Sequence, residues 1–77
     1  MKIINETYTE KMLGHCYREY NFIITLEGIH DAVDVDTFAD GYIKSHRRGQ
    51  SNEYCGYEPT KDGNTRVYVK HLVDSSD

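Results

Sequence analysis

Between Cys16 and Leu26 the side chains alternate at period two. Cys16, Tyr20, Phe22, Ile24 and Leu26 fall on one face, interrupted by Arg18 near its start, while Tyr17, Glu19, Asn21, Ile23 and Thr25 fall on the other. A helix would scatter that apolar set around its circumference, whereas a strand gathers it on one side. Such a strand has to be paired in a sheet and covered on its apolar face, and the rest of the chain must supply both the neighbours and the cover.

The remaining segments provide them. Lys2 to Met12 is rich in β-compatible residues (Ile3, Ile4, Thr7, Tyr8, Thr9), and Gly14 offers a turn position before the main strand, so a first hairpin is expected. After Gly28, Val33-Asp34-Val35-Asp36 reads as a short strand or an extended approach to a helix. Asp36 serves as N-cap for a helix running from about Thr37 to Arg48, with Asp40 in its first turn. Phe38, Tyr42 and His46 share one stripe of that helix, flanked by Ala39 and Ile43. Lys44, Arg47 and Arg48 fill its last turn, and Gly49 follows the C-cap. Gly41 inside the helix costs roughly 1 kcal/mol relative to alanine and implies a local reason such as close packing on the sheet. A strand at Glu53 to Tyr57, a turn over Pro59 to Asn64 with the hairpin signal Asp62-Gly63, and a strand from Thr65 to Val73 complete the chain. The expected fold is α+β: one small domain spanning 1–77, in the order β-β-α-β-β, with a mostly antiparallel sheet and one helix packed on one face. The polar tail 74–77 is expected to fray.

Seventy-seven residues leave room for one core and little else, because a chain of this size buries only about 60–65% of its unfolded surface. A deep substrate pocket would compete with that core for the same apolar side chains. No apolar run approaches the roughly 18 residues of a membrane-spanning helix, and the opening Met1-Lys2-Ile3-Ile4-Asn5-Glu6 has no signal-peptide core. A cytoplasmic setting is expected. Cys16 and Cys55 belong to no dense cysteine framework and are read as free thiols.

The residue types that carry chemistry are present without the spacings that chemistry needs. His15, His30, His46 and His71, with the two cysteines, form no short zinc-ligand pairs. No register starting at Asp31, Asp34, Asp36 or Asp40 gives a calcium loop its glycine at position six and its glutamate at position twelve. Two histidines with Lys70 or Arg66 suit a metal-free nuclease, but the acidity of the chain repels an RNA substrate. Ser45 and Cys16 lie in no nucleophile motif, and no glycine-rich phosphate loop is present. No catalytic activity, metal or cofactor is therefore expected.

Charge distribution is more informative. From Glu19 through Asp40 there are six acids and no Lys or Arg, so this stretch carries −6 within a chain of net charge −4. Such polarity suits electrostatic steering toward a basic surface. Seven tyrosines are many for this length, and tyrosine favours interfaces through its large contact area and polar tip. Asp31, Asp34, Asp36 and Asp40 with Tyr54 and Tyr57 are the expected partner-binding residues. The bland account is that the aspartates cap the helix and solubilise a loop while the tyrosines fill sheet positions. An alternative is a nucleic-acid-associated accessory domain that uses Lys44, Arg47 and Arg48 beside the same tyrosines. In size and charge the chain is similar to small phage-encoded inhibitors of host proteins, anti-CRISPR and anti-restriction proteins among them. The likeness implies a protein that occludes a basic functional surface of a larger partner, for instance a nucleic-acid-binding enzyme. Pairing of an edge strand with its twin leaves a homodimer open.

Overall fold

The computed structural model describes residues 1–14, 17–45 and 51–74. Its elements are β1 (Ile3–Leu13), β2 (Tyr17–Leu26), α1 (Ala32–Ser45), β3 (Ser51–Pro59) and β4 (Thr65–Asp74). They form the expected β-β-α-β-β domain, with one four-stranded sheet in the order β1-β2-β4-β3 and every neighbouring pair antiparallel. β2 and β3 therefore run parallel on either side of β4, and α1 is the crossover that joins them.

Alternation in β2 sets the two faces. Phe22, Ile24 and Leu26 stand opposite Val69, Val67 and Thr65 of β4, so the apolar positions of both central strands meet on one side. α1 covers that side with Val35, Ala39 and Tyr42, and these residues, with Phe22, Ile24, Leu26, Val67 and Val69, make the core. Tyr20, Phe38, Ile43 and Tyr54 pack around it. The helix axis lies over β3 and β4 and makes no close backbone approach to β1 or β2. The opposite face of the sheet carries no second layer among the described residues.

The helix begins earlier than the sequence suggests. Asp31, not Asp36, is the N-cap: its Oδ1 accepts the Asp34 amide at 2.9 Å, and its carbonyl accepts Val35 N–H at 3.0 Å. Val33 to Asp36 lies inside the helix and is neither strand nor extended approach. A two-residue alternation of valines fits either structure, and the spacing of Val35, Ala39 and Tyr42 at i, i+4 and i+7 decides for helix because it buries all three. Val33, two positions from Val35, is accordingly 73% exposed. Gly41 is also exposed, with open space where a Cβ would stand, so close packing is not what it serves. The expectations for His46, Arg47, Arg48 and Gly49, and for His15 and Cys16, lie outside the described residues.

Two polar residues fix where α1 starts. Thr65, almost fully buried, accepts His30 N–H through Oγ1 at 3.1 Å and donates to the Gly28 carbonyl at 2.8 Å. Asn64 Oδ1 accepts Gly28 N–H at 3.1 Å. The β2–α1 loop is thus tied to the β3–β4 hairpin. That hairpin turns over Thr60–Asn64, with Gly63 at φ +80° and bonds from Thr60 N–H to Asn64 O and from Gly63 N–H to Thr60 O. His71, expected at the border of the core, is inside it with no exposed surface. It lies edge-on to Phe22 and hydrogen-bonds Asn52 through Nδ1.

Candidate partner-binding surface

β3 carries the feature that organises this surface. Tyr54 stands opposite Val69 and Gly56 opposite Tyr68, so Cys55 is an extra residue in the ladder, and Gly56 follows it at φ +117°. Without the bulge, Tyr54 and Tyr57, three positions apart, would face opposite sides of the sheet. With it, Tyr57 stands opposite Val67, and both tyrosines share the helix-bearing side. Tyr54 is half-buried against the core, whereas Tyr57 is exposed.

Asp36 joins them from the helix. Burial pushes the Tyr54 hydroxyl above its ordinary range, and the nearby Asp36 carboxylate and Tyr57 push in the same direction. The α1/β3 flank thus combines a carboxylate with two phenols, one packed and one open.

The other aspartates stand in different places. Successive helical residues are rotated by about 100°, so Asp34 leaves the helix in a different direction from Asp36, whereas Asp40, at i+4, follows Asp36 on the same stripe one turn on. Asp31 is engaged as N-cap. Asp34, in the first turn, where the helix dipole favours a carboxylate, lines a shallow cleft of about 290 Å³ with Met1, Thr37 and Phe38. Asp40 pairs with Lys44 at 2.9 Å, both side chains about two-thirds exposed. Asp31 and Asp34 therefore stand apart, while Asp36 and Asp40 share one stripe, the second already paired with Lys44. Lys44 of the alternative basic patch is neutralised by Asp40, and Arg47 and Arg48 lie outside the described residues.

Sequence reasoning missed the polar lattice on the opposite face. Tyr68 donates to Glu58 Oε1 at 2.5 Å, and Arg66 Nη1 reaches the same oxygen at 3.2 Å. The Tyr68 hydrogen bond, then Arg66, holds the Glu58 carboxyl below the usual range. The same bond, followed by burial, raises the Tyr68 hydroxyl. Lys70 lies between Glu53 at 3.4 Å and Glu19 at 3.8 Å. The signal was the hairpin register, which sets Glu58 against Arg66 and Glu53 against Lys70.

The Cys55 thiol is not activated by its surroundings. Burial, then the Glu53 carboxylate, pushes the Cys55 thiol up, away from the thiolate a nucleophile needs. Among the described residues no three His, Cys, Asp or Glu side chains converge to hold a metal ion, and no helix is long and apolar enough to cross a membrane. No protein-family model matches this chain, and no curated protein or solved structure is significantly similar to it.

Proposed function

We propose that this chain is a small acidic protein-binding domain, acting in the cytoplasm by contact and not by catalysis, whose α1/β3 flank docks on a basic surface of a larger protein. The observation that carries this reading is the β3 bulge, which turns Tyr54 and Tyr57 to the side where Asp36 stands. A packed tyrosine beside an open one gives a rigid aromatic anchor with a polar tip, the kind of residue that dominates interface energetics. The adjoining carboxylate, within the −6 segment, selects a cationic partner and speeds encounter with it. By its likeness in size and charge to phage-encoded inhibitors, the domain occludes a nucleic-acid groove of a host enzyme.

The test is affinity capture from a nuclease-treated bacterial lysate with the wild-type chain and with Asp36→Lys and Tyr57→Ala, each at low and raised salt. One stoichiometric protein is expected with the wild type, weakened by salt and weakened about tenfold or more by either substitution. Retention of nucleic acid alone, or of the same protein by all three chains with equal strength, overturns the reading.

A further inference from the structure

The sheet has two edges, and they are not alike. At the β3 edge the bulge at Cys55 and Pro59 break the regular spacing of backbone donors and acceptors. From Asn5 onward the β1 edge has no such interruption. β1 is eleven residues long, contains neither proline nor glycine, and pairs on one side only among the described residues. Its single irregularity lies between Ile3 and Asn5, which leaves Asn5 to Leu13 as an unbroken ladder against β2. Tyr8 and Met12, on the helix-bearing side of that ladder, are 58% and 54% exposed although Tyr8 already stacks on Phe22 at 5.3 Å.

We infer that β1 pairs antiparallel with β1 of a second copy of this chain about a two-fold axis at Thr9, joining two four-stranded sheets into one of eight strands. Thr9 is the midpoint of the regular stretch, so the pairing uses all of it, and nine facing positions supply about eight to ten backbone hydrogen bonds. Centred there, the register sets Tyr8 against Glu10 of the second copy, Thr7 against Lys11 and Glu6 against Met12, and no like charges face each other directly. Centred one residue earlier, it would set Glu6 against Glu10, a destabilising pair. The same register makes Tyr8 a diagonal neighbour of Tyr8 and Met12 in the second copy, within reach of an aromatic ring, and so covers the two exposed apolar side chains of the regular stretch, whereas Ile3 and Ile4 lie beyond it. The Glu10 carboxylates that approach diagonally near the axis are each already paired with Arg18 at 3.4 Å. This edge is separate from the α1/β3 flank, and the inference stands without the function proposed for that flank.

The axis position gives the test. A residue on the axis faces its own copy with Cα atoms about 4.5–5.5 Å apart, inside the range a disulfide spans, whereas Thr7 lies about 14 Å from its twin. In a Cys16→Ser, Cys55→Ser background, oxidised Thr9→Cys is expected to run as a covalent dimer and Thr7→Cys as a monomer. Sedimentation of the unmodified chain at about 100 μM is expected to give a dimer. Thr9→Lys and Thr9→Glu are each expected to weaken that dimer by up to about fivefold, and an equimolar mixture to restore it. A monomeric wild type, equal crosslinking at positions 7 and 9, or crosslinking at neither overturns the inference, as does a mixture no tighter than its components.

Discussion

Gly41 sits on the exposed side of α1 with open space where a Cβ would project, so its cost in backbone entropy is offset by nothing around it. Gly41→Ala is expected to stabilise the domain by about 1 kcal/mol and raise Tm by roughly 4–8 °C, read by thermal unfolding. Glu58 gives a residue-scale expectation for pH. Its carboxyl is lowered by the Tyr68 hydroxyl and by Arg66 from an ordinary value of 4.5, so the folded state binds a proton less readily than the unfolded chain. The resulting stabilisation is present above that ordinary value and is lost as pH falls through the lowered one. Carboxyl NMR titration is expected to find Glu58 below its ordinary value of 4.5 and to move it back up in Tyr68→Phe. Roles at this scale were the hardest to read from sequence. Asp31 and Asp36 are equally good caps in isolation, and only the burial of Val35, Ala39 and Tyr42 decides between them. The partnership of Glu58 with Tyr68 depends on a cross-strand register that no local pattern announces.

Among the elements, β2 and β4 were legible because their alternation, from Tyr20 to Leu26 and from Thr65 to His71, runs long enough to exclude a helix, while β1 showed itself by β-compatible residue types. The start of α1 was not, because four residues of alternating Val and Asp satisfy both periods. The bulge in β3 had a visible sign, a glycine inside a strand, but its consequence for Tyr57 needed the pairing with β4. Gly56→Val forces a β-branched side chain to φ +117° and is expected to cost about 1–3 kcal/mol in urea unfolding. The same change is expected to reduce partner capture by shifting Tyr57 out of line with Asp36. At the other end of α1, Thr65→Val removes the hydroxyl that serves both His30 N–H and the Gly28 carbonyl. A loss of about 1–3 kcal/mol is expected there, with most of it recovered in Thr65→Ser.

For the whole molecule, composition and element order sufficed for the fold class, whereas the strand order β1-β2-β4-β3 rests on a pairing between distant parts of the chain. The central ladder joins Leu26 to Thr65 and Tyr17 to Asp74, so it closes only after α1 and β3 have been laid down between its two halves. Folding on the millisecond-to-second scale is expected by stopped-flow, slower than for a helical chain of equal length. Proximity along the chain is likewise not always proximity on a helix: of the four aspartates, Asp36 and Asp40 share a stripe at i and i+4, whereas Asp34 is turned away from both and Asp31 caps the end. One layer of sheet with half a layer of helix on it gives a slab of 42 × 22 × 16 Å. A body of these proportions has more surface for its volume than a sphere of the same 9.0 kDa, so a large share of this short chain lies open to contact.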